Sequence, residues 1–82
     1  MKRDFALRID TLLSGVRASL ESVIYYTKNH ISRGDLTEEE WKRFTSMIAK
    51  SMGETIKVSN ELYAEFPDIM PDELKSGRKP KP

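Results

Sequence analysis

The chain has 82 residues, of which 38% are hydrophobic and 33% charged, and its formal net charge is +1. This composition is typical of a globular protein, and the length allows one domain near the lower limit for burying its own core. The absence of cysteine excludes disulfides, thiolate chemistry and a cysteine-based metal site. A small chain without such links usually gains stability from well-packed helices or from oligomerisation.

The beginning of the sequence, "MKRDFALRID", is charged and has no apolar run of signal-peptide length. No stretch approaches the roughly 18 consecutive apolar residues of a membrane span. We therefore predict a soluble, cytoplasmic protein that makes no contact with a membrane.

The first half of the chain carries apolar residues at steps of three and four, the period of an α-helix. Leu13, Ile24 and Ile31 widen this stripe, so that the apolar arc covers roughly 160° at 100° per residue. The pattern predicts a long helix from about residue 3 to residue 32. The stripe consists of Phe5, Ile9, Leu12, Val16, Leu20, Val23 and Tyr26.

The second half repeats this period and predicts a helix over residues 37–66. Pro67 is expected to end it, because a residue that precedes proline does not easily adopt helical geometry. Between Pro67 and Pro71, Ile69 and Met70 are expected to pack back as an extended strap, and residues 71–75 can form a short helical turn. We predict a single domain over 1–74 and a disordered basic tail over 75–82. The second stripe consists of Trp41, Phe44, Ile48, Met52, Ile56, Ser59, Leu62 or Tyr63, and Phe66.

The segment between the helices, "RGDLTEEEW", contains an Arg-Gly-Asp tripeptide that acts as an adhesion signal in other settings. Local helix chemistry accounts for it without such a role. Thr37 with Glu40 three residues later is the pattern of a capping box, and acidic residues in a first turn suit the helix dipole. Gly34 is suited to the left-handed conformation that ends a helix. We interpret the segment as a turn that makes the two helices antiparallel.

With the bend near residues 34 and 35, residue i lies roughly opposite residue 69 − i. This pairing brings small residues of the first helix level with the middle of the second: Ser14, Gly15, Ala18 and Ser19 with Thr55, Glu54, Ser51 and Lys50, and with Gly53 close by. One interpretation is a close approach of the two backbones. The other is a polar centre lined by hydroxyl groups.

His30 is the only imidazole, and a metal pair with Asp35, Glu38 or Glu39 can be imagined at the turn. Zinc sites generally need three or four nitrogen or sulfur ligands, which one histidine without cysteine does not supply. No serine has a credible base, and no glycine-rich phosphate loop is present. We predict no catalytic residue, no metal and no cofactor, and hence a protein that is not an enzyme.

The apolar arcs are wider than one partner helix covers, and a contiguous exposed apolar patch marks an interface. We predict a homodimer that forms an antiparallel four-helix bundle. The alternatives are a heteromeric partner helix, or a monomer closed by the strap. The predicted interface residues are Leu13, Leu20, Ile24, Ile48, Met52 and Ile56.

For function, these observations favour a small non-enzymatic protein–protein interaction module, with an adaptor, chaperone-like or inhibitor role, acting as a dimer. The alternative is a nucleic-acid-associated regulator that uses the basic first helix and the basic tail. Four cations on a flexible tail without aromatic residues predict weak, salt-sensitive contact. The predicted polyanion contacts are Lys75, Arg78, Lys79 and Lys81.

Overall fold

The computed structural model describes residues 1–72, and within this range the chain is an antiparallel hairpin of two long α-helices. Helix α1 spans Arg3–Lys28 and helix α2 spans Glu38–Glu65, followed by a 3-10 turn at Pro67–Ile69. The predicted all-α helical hairpin is confirmed. The predicted disordered tail over 75–82 lies outside the described residues, as does the end of the predicted 1–74 domain.

Hydrogen bonds between the helices show how they are aligned. Asp10 is bonded to Ser59, and Arg17 is bonded to Thr55. Nearer the turn, the indole nitrogen of Trp41 donates to the Ile24 carbonyl. The numbers of the bonded residues add to about 70, as expected for an antiparallel pair joined by a short bend.

The middle of the hairpin does not depend on small residues. Gly15 and Ala18 are exposed, and a Cβ atom added at Gly15 or Gly53 would meet nothing within 4 Å. The close-approach interpretation is therefore wrong, because α1 is rotated so that Arg17, not Gly15, contacts α2. The alternative, a centre lined by hydroxyl groups, describes what is found: Arg17 donates to the hydroxyls of Thr55 and Ser59.

α1 ends at Lys28, four residues earlier than predicted. From His30 onward the backbone N–H groups bond to carbonyls three residues back, which replaces the α-helical pattern by tighter turns. Gly34 then closes the segment with φ 81°. Its N–H donates to Ile31 and that of Asp35 donates to His30, the bond pair of a Schellman motif. The left-handed glycine predicted at the turn is thus present, several residues beyond the last α-helical residue.

The start of α2 is the predicted capping box. The Thr37 hydroxyl accepts from the backbone N–H of Glu40 at 3.0 Å, and the Glu40 carboxylate accepts from the Thr37 N–H at 2.8 Å. Two helix-end donors that have no partner within the helix are thereby satisfied. Because both bonds are local, the sequence spacing alone determined this helix start.

The core lies at the end of the hairpin away from the turn. Pro67 stops α2, and the 3-10 turn that follows brings Ile69 back onto the helices, where 7% of the residue stays exposed. The expected packing of this segment is confirmed, although Pro67–Ile69 is a 3-10 turn and not extended, since the fixed φ of proline suits a helical first position. The buried cluster comprises Ala6, Leu62, Tyr63 and Ile69, with Ile9, Phe66 and Met70 packed against it.

Removing the capping hydroxyl tests the start of α2. We expect Thr37→Ala to lower the free energy of unfolding by about 0.5–2 kcal/mol, because the Glu40 N–H loses its acceptor. Thr37→Ser keeps the hydroxyl and is the matched control, expected to stay close to wild type. Urea unfolding followed by circular dichroism measures both, and equal stability of the Ala and Ser variants would contradict the cap.

A second pair of variants tests the turn. We expect Gly34→Ala to destabilise the protein by on the order of 1 kcal/mol, because a Cβ is disfavoured at positive φ even where space is open. Gly34→Asn is expected to cost less, since asparagine tolerates the left-handed region. Thermal melts compare the two, and a Gly34→Ala variant more stable than wild type would show that Gly34 is not left-handed in solution.

Candidate interaction surface

Most of the predicted interface residues lie between the two helices of a single chain. Leu13, Leu20 and Ile24 of α1 are half-buried in the same row as Asp10 and Arg17, which bond to α2. The predicted residues of α2 divide: Ile48 and Met52 are half-buried, whereas Ile56 is 47% exposed. Their role in an interface between copies stays a prediction, and the largest exposed apolar surface consists of other residues.

Eight large apolar side chains form what we call the outer apolar face. Each of these residues is between 44% and 65% exposed. Most of the predicted α1 stripe is among them, so the most apolar row of α1 is not the row that packs against α2. The outer apolar face consists of Phe5, Leu12, Val16, Val23 and Tyr26 of α1 and Phe44, Met47 and Val58 of α2.

Helical geometry places both parts of this face on the same side of the hairpin. At about 100° per residue, the five α1 residues fall within an arc of about 80°, centred about 140° from the row of Asp10 and Arg17. On α2, Phe44, Met47 and Val58 lie roughly a quarter turn from Ser59. Viewed along each helix from its own N-terminus, this rotation has the same direction as the one on α1. Because α2 runs antiparallel to α1, that sense of rotation brings both stripes to one side. The α2 part is interrupted, since Ser51 and Glu54 lie between Met47 and Val58 on the same side of the helix.

A buried polar network explains which row of α1 faces α2. Asp10 is 7% exposed, and its carboxylate accepts from the Ser59 hydroxyl at 2.7 Å and from the Tyr63 hydroxyl at 2.8 and 2.9 Å. Arg17 donates to the Ser59 hydroxyl at 3.3 Å and to the Thr55 hydroxyl at 3.2 Å. Ser59 thus links the Arg17 cation to the Asp10 carboxylate, accepting from one and donating to the other.

This network fixes the rotation and register of the hairpin. A buried carboxylate without donors costs several kcal/mol, so α1 is held where Asp10 meets Ser59 and Tyr63. Among residues 1–72, no buried side-chain nitrogen or oxygen lacks a hydrogen-bond partner. The apolarity of the rows of α1, taken alone, does not point to Asp10. The available signal was an acid and two hydroxyl residues, Ser59 and Tyr63, at matching positions of the predicted register.

The environment of Tyr63 shifts its acidity. Burial, together with the hydrogen bond to Asp10 and the negative charge of that carboxylate, raises the pKa of the Tyr63 phenol above its ordinary value of 10.0. Losing the proton would place a second negative charge beside Asp10 in a poorly solvated position. The neutral phenol is therefore part of the folded state.

The turn end carries the only imidazole. The Nδ1 atom of His30 lies 2.7 Å from the Asp35 carboxylate, and the His30 ring centroid lies 4.5 Å from that of Tyr26. Asp35, to which the turn interpretation gave no partner, is thus paired. Within residues 1–72 no group of three or more histidine, cysteine, aspartate or glutamate side chains is placed to hold a metal ion.

The predicted polyanion contacts, Lys75, Arg78, Lys79 and Lys81, lie outside the described residues and stay predictions. The other basic part of that hypothesis, α1, carries four basic and three acidic residues, so its excess of positive charge is small.

Comparison with known proteins gives no relative: no protein-family model, no curated protein and no solved structure matches the chain. In the described part of the chain, neither helix combines the length and the apolar character that crossing a membrane requires.

The raised pKa of Tyr63 predicts a specific loss of stability in alkali. Below pH 10 the neutral Tyr63 phenol contributes fully to the stability of the folded state. As pH rises, the phenol of the unfolded chain loses its proton first, which favours unfolding, and the contribution is lost as pH passes through the folded-state pKa. We expect the free energy of unfolding of wild type to fall more steeply above about pH 10 than that of Tyr63→Phe. At neutral pH the variant is expected to be less stable by about 1–3 kcal/mol, because Asp10 loses a buried donor.

Urea unfolding from pH 8 to 11 measures the difference in free energy of unfolding between wild type and Tyr63→Phe. The other titrating groups are the same in both proteins, so their effects cancel in this difference. Tyr25→Phe is the matched control, since Tyr25 is 62% exposed. It is expected to follow the wild-type curve. Parallel curves for wild type and Tyr63→Phe would show that Tyr63 is not buried beside Asp10.

Proposed function

We propose that the protein is a non-enzymatic protein–protein interaction module that acts as a homodimer through the outer apolar face. The supporting observation is the alignment of eight large, exposed apolar side chains on one side of the hairpin. Single exposed apolar residues are ordinary on protein surfaces, but a contiguous patch of them is typical of an interface.

The small size of the core also supports a dimer. In the described chain the buried apolar residues are gathered at the end of the hairpin away from the turn. Two helices alone cannot enclose a larger core, whereas two hairpins packed face to face form a four-helix bundle. Ile69 and Met70 pack near Ala6, at the far end from Val23 and Tyr26, and so do not cover the rest of the outer apolar face.

The engagement of the polar side chains favours interaction over catalysis. Asp10 and Tyr63 are bonded to each other, and His30 is paired with Asp35. An adaptor, a chaperone-like protein or an inhibitor presents helix surface to another protein and needs no reacting group. In the proposed bundle, the remaining surface of the two hairpins is available for that contact.

A pair of neighbouring variants tests the proposal. We expect wild type to be a dimer at micromolar concentration by sedimentation equilibrium. Val23→Glu is expected to weaken the dimer on the order of a hundredfold or more, since burying an unpaired carboxylate costs several kcal/mol and each 1.4 kcal/mol is tenfold. Tyr25→Glu is the matched control: it lies two residues away on α1, is exposed, and points to the other side of the hairpin.

The control is expected to remain dimeric, and circular dichroism checks that both variants keep the helical content of wild type. A wild-type chain that sediments only at 9.5 kDa throughout the range would overturn the homodimer. Equal weakening by the two substitutions would show that the dimer uses a surface other than the outer apolar face.

A further inference from the structure

Two hairpins can bury their outer apolar faces against each other in two ways. With the twofold axis parallel to the helices, α1 of each copy lies against α2 of the other. With the axis across the helices, α1 lies against α1 and α2 against α2. Resting on the homodimer proposed above, we infer that the axis is parallel to the helices and that each α1 packs on the second copy's α2.

The heights of the apolar residues along the hairpin favour this arrangement. The hairpin register places Tyr26 about level with Phe44 and Val23 about level with Met47, because the residue numbers in each pair add to 70, within the sums of 65 to 72 seen in contacts between the helices. Leu12 is likewise level with Val58. A rotation about an axis parallel to the helices preserves height. It therefore brings Leu12, Val23 and Tyr26 opposite apolar counterparts on the second copy, whereas Phe5 and Val16 come level with Glu65 and Glu54.

The crossed arrangement does not fit both helices at once. A twofold axis across the helices reverses height along the hairpin. Apolar residues of the two copies then meet only if the apolar residues of α1 and those of α2 are both arranged symmetrically about the level of the axis. The α1 stripe is centred near Val16, which lies level with Glu54, whereas the α2 stripe is centred near Ser51. The offset of three residues is about 4.5 Å along a helix. An axis at Val16 would set none of the three α2 residues of the outer apolar face opposite another of them, and Met47 would meet Glu61 of the second copy.

The charges of the two helices give an independent argument. α1 has four basic and three acidic residues, and α2 has four basic and six acidic. Packing α1 on α2 joins opposite net charges, whereas the crossed arrangement joins two acidic helices. At the border of the outer apolar face, Arg8 comes level with Glu61 and Glu65 of the second copy. Exposed pairs of this kind direct the choice of partner helix more than they add affinity.

Single-cysteine variants test the arrangement, because the natural chain has no cysteine. Val23→Cys and Met47→Cys proteins are mixed, unfolded and refolded together to exchange subunits, and then mildly oxidised. The expected product is a disulfide between the two different variants, identified by its intermediate mass, since only opposed residues bring their Cα atoms within reach. Leu12→Cys with Val58→Cys repeats the test at the other end of the hairpin.

Two controls separate the possible results. Tyr25→Cys mixed with Met47→Cys is expected to give little mixed disulfide, because Tyr25 lies on the other side of α1. Val16→Cys alone is expected to stay reduced, since residue 16 of one copy meets residue 16 of the other only in the crossed arrangement.

Rapid self-linking of Val16→Cys would overturn the parallel axis while leaving the homodimer in place. A dimer by sedimentation in which neither mixed pair links would also overturn it, by showing that other surfaces meet. Absence of links together with a 9.5 kDa species would overturn the homodimer itself.

Discussion

The carboxylate of Asp10 lies between α1 and α2 and accepts hydrogen bonds from the hydroxyls of Ser59 and Tyr63. Turning α1 by a quarter turn, or sliding it by one residue, would take a charged group away from its donors. The hydrogen bonds around a buried charge are directional, whereas apolar contact tolerates many orientations. The rotation of α1, and with it the identity of the exposed surface, therefore depends on the network around Asp10.

The position of Asp10 has a consequence for the apolar residues of α1. Facing Asp10 and Arg17 toward α2 leaves the row that contains Val16 and Val23 on the outside. A hairpin optimised as a monomer would bury that row. The hairpin instead buries a mixed row within the chain and keeps its most apolar row exposed, an arrangement that suits a chain whose second packing partner is another molecule. The contacts within the chain and the exposed apolar row thus occupy different faces of the same helix.

The two ends of the hairpin are built differently. At the turn, Gly34 and the Thr37–Glu40 capping box fix the chain through hydrogen bonds spanning at most five residues. At the other end, the contact of Ile69 with Ala6 and Leu62 joins segments far apart in the sequence. The turn can form early and locally, and it brings Asp10 and Ser59 to matching heights.

The sequence by itself determined the helical period, the capping box, the left-handed glycine and the stop at Pro67, because each depends on residues within a few positions of one another. It also indicated the hairpin, since a short connection leaves two long helices little choice but to lie antiparallel. It did not determine the rotation of α1 or the partners of Asp10. An apolar arc of roughly 160° fits several rotations with similar burial of apolar surface, so periodicity cannot rank them. Only the tertiary structure decided among these rotations. The groups that distinguish one rotation from another meet only when the helices pack, because Asp10 is 49 residues from Ser59 and 53 residues from Tyr63 in the sequence.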